Sequence, residues 1–148
     1  MKTKPVLCAI ILIVAVLISG CTTTSQQTTA AAAPETPDLV GNWTGTMVGY
    51  EYGVGYTNFS GYTITMIVTE QRDRIFSGAF IFTNETGASV WDDAPFAGVV
   101  GRDGKTLTLI EDGGGYSTGT VIASDEIELI YADGGDPFNI AINALKRS

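Results

Sequence analysis

Short runs of β-forming residues, separated by turn residues, recur from residue 39 onward, and this pattern constrains the fold more than any other feature. Helical periodicity is missing from this stretch, whereas the runs are rich in Thr, Ile, Val, Phe and Tyr. Ile64 and Met66, for example, alternate with Thr63 and Thr65. The sequence predicts eight strands, A to H, over residues 39–50, 61–70, 74–83, 95–102, 105–112, 116–123, 126–133 and 138–146.

The connections between these predicted strands are short, which favours an antiparallel up-and-down meander. Arg102-Asp103-Gly104-Lys105 predicts a two-residue Asp-Gly hairpin. Eight strands can close into a small barrel, so the predicted fold is all-β, an eight-stranded antiparallel up-and-down barrel, with a β-sandwich as the alternative. The predicted interior is framed by Met47, Ile64, Met66, Phe76, Phe80, Phe82, Leu107, Leu109, Ile127, Leu129 and Tyr131.

The N-terminus carries the pattern of a lipoprotein signal peptide. Lys2 and Lys4 precede an apolar run over residues 6–18 that is too short to span a bilayer, and a Ser-Gly pair then precedes Cys21. We therefore expect residues 1–20 to be removed and Cys21 to carry a lipid. Such an anchor would hold the protein on the extracytoplasmic face of the cell membrane.

The stretch that follows predicts a spacer and then one domain. Residues 21–38 are rich in Thr, Ala and Pro and contain no aromatic side chain, which is typical of a disordered tether. Residues 39–148 are left for a single β-barrel domain. Because Cys8 leaves with the signal peptide and Cys21 takes the lipid, this domain has neither a disulfide nor a free thiol.

The mature chain is strongly acidic and has no histidine. Two of the 8 basic residues, Lys2 and Lys4, leave with the signal peptide, so the mature chain has 6 basic and 16 acidic residues and a net charge of −10. This negative charge excludes nucleic acid as a partner. Without imidazole or thiol there is no ordinary catalytic base, nucleophile or zinc ligand, and no loop has a calcium-motif spacing. We therefore expect no enzyme, no cofactor and no metal.

A meander places alternate loops at alternate ends of the barrel, and this predicts a charge asymmetry. All six basic residues of the mature chain fall at the end that holds the domain termini. The loops A–B, C–D, E–F and G–H meet at the other end, here called the mouth. The mouth carries no basic residue but eight acidic ones: Glu51, Glu85, Asp92, Asp93, Glu111, Asp112, Asp133 and Asp136. We therefore expect the barrel to be an electrostatic dipole.

Aromatic residues accompany the acids at the mouth. Aromatic faces beside carboxylates suit a small cationic or amphipathic ligand, through cation–π attraction and charge pairing. The alternative is that these rings pack as a lid over a filled barrel. The predicted ligand-binding residues are Tyr50, Tyr52, Tyr56, Phe59, Trp91, Asp92, Asp93, Glu111 and Asp112.

The tripeptide Gly41-Asn42-Trp43 opens the domain, and Lys146-Arg147 lies near its end. In these residues and in its strand plan the chain resembles the calycin superfamily of lipocalins and avidins, whose barrels also begin with Gly-x-Trp. The resemblance implies that Trp43 plugs the closed end beneath Lys146 or Arg147. The second lipocalin motif and the biotin-holding pattern of avidins are missing. The chain also looks similar to small Gly-x-Trp lipoproteins of methanogenic archaea, which implies a source but no activity.

A second function is predicted from the outer surface of the barrel. Strand C is apolar on both faces, and Ile67, Ala97 and Val99 add apolar side chains on the neighbouring strands B and D. A contiguous apolar patch of this kind marks a surface for self-association or for a protein partner. The alternative function is therefore a surface interaction module that uses the outer face of strands B–D, with a filled barrel.

Three Asn-x-Ser/Thr sequons occur in the domain. Asn58 and Asn84 lie in mouth loops and are the candidates for glycosylation. Asn42 lies within a predicted strand and is a poor acceptor.

Overall fold

The computed structural model describes residues 34–148; the predicted signal peptide, the lipidation site at Cys21 and most of the predicted tether lie outside the described residues. Within this range no helix is long and apolar enough to cross a membrane. Eight strands match the predicted strands A to H to within two residues at each end, which confirms the all-β prediction. The strands are β1 (Gly41–Glu51), β2 (Gly55–Thr57), β3 (Tyr62–Arg72), β4 (Ile75–Asn84), β5 (Ala94–Val100), β6 (Thr106–Glu111), β7 (Tyr116–Ala123), β8 (Glu126–Asp133) and β9 (Asn139–Arg147).

The sheet closes into a barrel because the first and last long strands pair with each other. From β3 to β9 each strand pairs antiparallel with the next, and β1 pairs with β3 on one side and β9 on the other. The ladder between β1 and β9 runs from Trp43 opposite Arg147 to Glu51 opposite Asn139. Closure confirms the eight-stranded barrel and excludes the sandwich, in which two separate sheets keep their edges.

Strand β2 was not predicted and lies outside the eight-stranded barrel. The segment after β1 turns back on itself and pairs with the end of that strand, with Tyr50 opposite Tyr56. Gly53 and Gly55 make this turn with φ angles of 89° and 95°, a region that other residues rarely adopt. Because β2 has only three residues and begins with glycine, it shows no alternation from which a strand could be recognised.

The turn between β5 and β6 is longer than the predicted two-residue hairpin. The last pair of the ladder is Val100 opposite Leu107, and Gly104 has a φ of 68° whereas Asp103 lacks the positive φ that a type I′ turn requires. The Asp103 carboxylate accepts hydrogen bonds from the hydroxyl and the backbone N–H of Thr106. These bonds lower the pKa of Asp103 to about 2. The Asp-Gly pair thus predicts the position of the turn correctly but not its length.

The half of the barrel away from the mouth is filled by inward-pointing apolar side chains. Nine of the eleven residues predicted for the interior are buried, while Phe82 and Tyr131 are only half-buried because they lie nearer the mouth. The predicted interior included no residue of β9, but the structure buries Asn143 of this strand inside the barrel. Ile140 and Ile142 of the same strand are instead 48% and 44% exposed. The buried core also contains Leu39, Trp43, Val68, Phe96, Val100 and Leu145.

Trp43 plugs the end of the barrel opposite the mouth. Its side chain is fully buried, and its indole N–H donates a hydrogen bond of 2.8 Å to the Leu39 carbonyl oxygen. The Arg147 guanidinium lies over the indole, 4.3 Å from the ring centre. The same guanidinium donates hydrogen bonds to the carbonyl oxygens of Val40 and Asp38. Trp43 is therefore held between the segment that precedes β1 and the last strand, β9.

The chain joins this closed end slightly ahead of the predicted domain boundary at residue 39. The Gln71 side chain donates a 2.8 Å hydrogen bond to the Pro37 carbonyl oxygen and accepts one of 2.7 Å from the Leu39 N–H. A partly buried amide that bridges two backbone groups fixes the path of the chain. Residues 37 and 38 therefore pack with the barrel.

We predict that Trp43→Ala lowers the free energy of unfolding by about 3–5 kcal/mol, because it empties a fully buried aromatic site. Trp43→Phe keeps the ring but removes the hydrogen bond to Leu39, and should cost about 1 kcal/mol for that bond plus a smaller packing loss. Chemical denaturation of the full chain measures both. A loss below about 1 kcal/mol for Trp43→Ala would show that the plug does not support the barrel.

Candidate functional site

The mouth end of the barrel encloses a cavity of about 630 Å³. The lining residues that are themselves buried, and therefore deepest, are Met47, Ile64, Phe80 and Asn143. Nearer the opening, the described lining contains six acidic residues and no basic residue: Glu51, Asp92, Glu111, Asp112, Asp133 and Asp136. A volume of this size falls within the range of small-molecule sites. The barrel is thus filled at one end and open at the other.

The cavity brings together six of the nine predicted ligand-binding residues. Tyr52 lies outside it and stacks on Phe138 with the ring centres 5.1 Å apart. Tyr56, on β2, is 75% exposed, and Asp93 is exposed without lining the cavity. The six that line the wall are Tyr50, Phe59, Trp91, Asp92, Glu111 and Asp112.

Trp91 lies at the rim of the cavity and is held by aromatic contacts on two sides. Its ring stacks on Tyr62 with a centre distance of 5.7 Å and meets Phe82 edge-on at 5.1 Å. The backbone beside it is fixed by a 3.0 Å hydrogen bond from the Val90 N–H to the Phe82 carbonyl oxygen. With 48% of its surface exposed, Trp91 presents a pre-positioned aromatic surface at the cavity rim.

Carboxylates crowd one wall of the cavity, where water is partly excluded. Burial raises the pKa of Glu111 despite a 2.8 Å hydrogen bond from the Ser117 hydroxyl, and the charge of Asp133 raises it further. Burial and then the charges of Asp133 and Glu111 raise the pKa of Tyr131 to about 12. Desolvation is the larger cause of both shifts, and the neighbouring carboxylates add to it. Among residues 34–148 no three acidic side chains converge as metal ligands would.

Sequence reasoning missed several residues that shape the site. Tyr62, which supports Trp91, and Asp133, which adjoins Tyr131, were not among the predicted ligand-binding residues. Asn143 was missed because polar residues are not expected in a barrel interior. The sequence contained one signal. In strand H the large apolar residues alternate with Asn139, Ala141 and Asn143, so these three share the opposite face of the strand.

The predicted dipole is only half correct. The mouth holds eight acids and, within the described chain, no base, but the closed end holds seven acids beside its six bases and is nearly neutral. Arg72 pairs with Glu70 at 2.8 Å, and the exposed Lys146 lies 4.0 Å from Glu126 instead of over Trp43. The seven acids are Glu35, Asp38, Glu70, Asp73, Asp103, Asp125 and Glu126; the sixteenth acid, Glu128, is exposed on the outer face of β8, two residues beyond Glu126.

The outer surface carries two apolar areas. On the face predicted from strands B–D, Ile75 and Val99 are exposed, whereas Ile67 is half-buried. Across β6 to β9, larger exposed side chains lie opposite one another in the ladders, including Ile130 opposite Ile142. This second area, which was not predicted, contains Ile110, Tyr116, Ile130, Ile140 and Ile142.

The two glycosylation candidates differ in their surroundings. Asn58 is exposed before β3, and its side-chain oxygen accepts a hydrogen bond from the Ser60 N–H. Asn84 is half-buried at the end of β4, where its side-chain oxygen accepts bonds from the Thr86 hydroxyl and from the N–H groups of Thr86 and Ala88. Asn58 is the more accessible acceptor.

No family model and no curated protein matches this chain. Solved structures with a similar fold include a de novo designed fluorescence-activating β-barrel, with 15% identity and a TM-score of 0.46 over 74% of this chain and 94% of that chain. Another is the redesigned barrel mFAP0 bound to DFHBI, with 15% identity and a TM-score of 0.46 over 74% of this chain and 98% of that chain. At this level of similarity the likeness carries no argument about function.

We predict that Glu111→Gln stabilises the protein at neutral pH. Because the folded state raises the pKa of Glu111 above its ordinary value of 4.5, the folded protein binds more protons than the unfolded chain between these two pKa values. The Glu111 charge therefore lowers the free energy of unfolding by its full amount above the raised pKa, and this destabilisation disappears as the pH falls below 4.5. The glutamine can still accept the Ser117 hydrogen bond.

Denaturant melts from pH 4 to pH 8 test this prediction. The gain of Glu111→Gln over the parent should shrink steadily as the pH falls. Glu85→Gln, a change at an exposed mouth residue, is the matched control and should stay within about 0.5 kcal/mol of the parent at every pH. A Glu111→Gln variant less stable than the parent at pH 7 would contradict the desolvation argument.

Proposed function

We propose that this protein binds a small organic cation in the mouth of its barrel. The observation that carries the proposal is the cavity of about 630 Å³, whose described lining combines six carboxylates with aromatic rings and no basic side chain. Several lining groups are partly desolvated, so a cation placed among them interacts more strongly than it would with fully exposed carboxylates. The charge selects against anions, and the rings provide apolar contact.

The aromatic rim supports the choice of an organic cation. Trp91, Tyr50 and Phe59 line the cavity near the acids, and a cation over an aromatic face gains about 0.5–2 kcal/mol, depending on desolvation. Met47, Ile64 and Phe80 extend the apolar wall below them. A ligand with a charged end and an apolar body would match both regions.

The function is proposed to be binding without chemical conversion. The domain has no histidine and no cysteine, and the sequence shows no activated serine. The acidic residues of the cavity are accounted for by attraction of a cation. Neither a cofactor nor a metal is part of the proposal.

We further propose that the barrel works outside the cell, anchored to the membrane by lipid on Cys21 and separated from it by a tether that ends before Pro37, where the chain joins the barrel. The support is the sequence alone: a short basic and apolar leader, small residues before Cys21, and a spacer without aromatic residues. The nearly neutral closed end gives this orientation no electrostatic help. The proposed kinship with calycins is supported by the packing of Arg147 on Trp43.

A surface interaction module remains the second candidate function. Exposed Ile75 and Val99 support the face of strands B–D, and the wider apolar area across β6 to β9 supports association more strongly. Native mass spectrometry of the protein from its host separates the candidates. A retained small molecule supports the mouth, whereas a dimer or co-purified protein supports an outer face.

We predict that Asp92→Asn weakens binding of n-hexylamine, while Asp93→Asn has little effect. Asp92 lines the cavity and Asp93 does not, although the two are adjacent in sequence and both exposed. Loss of one exposed charge should reduce affinity roughly two- to fivefold, corresponding to about 0.5–1 kcal/mol. Calorimetric titration of the full chain at low and high salt measures this effect, which salt should diminish.

The two ways in which this titration can fail have different meanings. If n-hexylamine does not bind the parent protein at millimolar concentration, the proposed function is wrong. If it binds but Asp92→Asn and Asp93→Asn behave alike, the cation does not use the charge at the rim.

We predict that Cys21→Ser moves the protein from the membrane fraction to the soluble fraction after its signal peptide is removed. The reason is that a lipid on Cys21 is the proposed anchor, and serine cannot carry it. Membrane fractionation and the thermal unfolding of the released protein are the measurements, and the melting temperature should not change. An unchanged membrane fraction would contradict the lipoprotein assignment.

A further inference from the structure

We infer that Asn143 determines which organic cations the cavity accepts, and that the preferred ligand is an elongated cation with a neutral O–H or N–H donor at the end remote from its charge. This inference rests on the proposed function and specifies the ligand of the same site. Its starting point is a polar atom at the bottom of the cavity that the described protein does not satisfy.

The Asn143 side chain is 4% exposed and lines the cavity. Its Oδ1 atom receives no hydrogen bond from any group of residues 34–148. A buried amide oxygen without a donor is unfavourable for folding, so such atoms are rarely retained without a reason. The oxygen itself has almost no accessible surface, so a donor on a ligand at the bottom of the cavity reaches it only when the Asn143 amide turns towards the cavity.

Strand register shows how far Asn143 lies from the acids. At the mouth, Asn139 lies opposite Glu51 of β1 and Asp133 of β8. Four residues further along β9, Asn143 lies opposite Met47 and Leu129. At about 3.3 Å per residue, the carboxylate level and the level of Asn143 are roughly 13 Å apart along the strand.

On β1, β8 and β9 the level between them carries no charge, whereas Glu111 of β6 reaches this level through its hydrogen bond from Ser117, which lies opposite Tyr131. There Ala141 lies opposite Gly49 and Tyr131, and Ala141 and Tyr131 line the cavity. The cavity is thus acidic at the top, lined in the middle by small and aromatic side chains with the Glu111 carboxylate on one side, and apolar at the bottom except for one acceptor. A ligand that satisfies all three levels has its charge, its apolar body and its neutral donor in that order.

The reverse orientation, with the cation at the bottom, is unfavourable. An ammonium group beside Met47, Ile64 and Phe80 would lose its hydration and find a single neutral acceptor in Asn143. A hydroxyl or amide N–H loses far less hydration and needs one acceptor only. Asn143 therefore suits the uncharged end of the ligand.

Three probes of similar length test the inference: 6-amino-1-hexanol, which carries a terminal donor, 6-methoxyhexylamine, which carries the oxygen without the donor, and n-hexylamine. Calorimetric titration is performed with the full chain in lipid nanodiscs, with empty nanodiscs as the blank. We expect aminohexanol to bind about tenfold more tightly than the methoxy compound, as one buried hydrogen bond predicts.

Asn143→Leu removes the acceptor and keeps a side chain of similar length. In this variant the preference for aminohexanol over the methoxy compound should disappear, while n-hexylamine should bind at least as well as before. Asn139→Leu, a change on the same face of β9 at the mouth, is the matched control and should keep the preference. Asn143→Ala takes the place of Asn143→Leu if leucine prevents folding.

The outcomes separate this inference from the proposed function. If no probe binds, the proposed function fails and this inference with it. If n-hexylamine binds the parent protein but aminohexanol has no advantage over the methoxy compound, Asn143 does not select the ligand and only the inference is overturned. A preference that persists in both Asn143→Leu and Asn143→Ala would likewise overturn it.

Discussion

The pairing of β1 with β9 is the contact on which the rest of the structure depends. One ladder joins the two ends of the domain, and it carries Trp43 and Arg147 at one end and Glu51 and Asn139 at the other. Because the ladder is antiparallel, residues distant in sequence are forced to the same level of the barrel. The plug at the closed end and the carboxylates at the mouth are thus positioned by the same set of backbone hydrogen bonds.

The barrel interior is filled at the closed end and open at the mouth. Below the cavity, residues such as Met66 and Leu129 are fully buried and supply the apolar contacts that hold the sheet closed. Above them, the interior contains Glu111, which keeps an ionisable group in a partly desolvated place. Such an arrangement is unfavourable for folding by itself, and the cation proposed above would compensate the charge.

Most of the fold could be predicted from the sequence, because each long strand combines alternation with a turn at both ends. The prediction was weakest where those signals are absent, as in the short strand β2, and where a turn signal fixes position but not length, as at Asp103. The acids and aromatic rings of the mouth could be predicted from loop polarity. Asn143 could not, since its role depends on which face of β9 points inwards, and that is decided by neighbouring strands.

The exposed Ile140 and Ile142 and the buried Asn143 give β9 a hydrophobic pattern that is reversed near the mouth. A shift of one residue would exchange its two faces, placing these isoleucines inside and filling the cavity. The same shift would expose Leu145 and bury Lys146 at the closed end, which is strongly unfavourable. The two halves of β9 therefore favour opposite registers. Leu145 and Lys146 at the closed end fix the observed register, and the cavity stays open because Ile140 and Ile142 then point outwards.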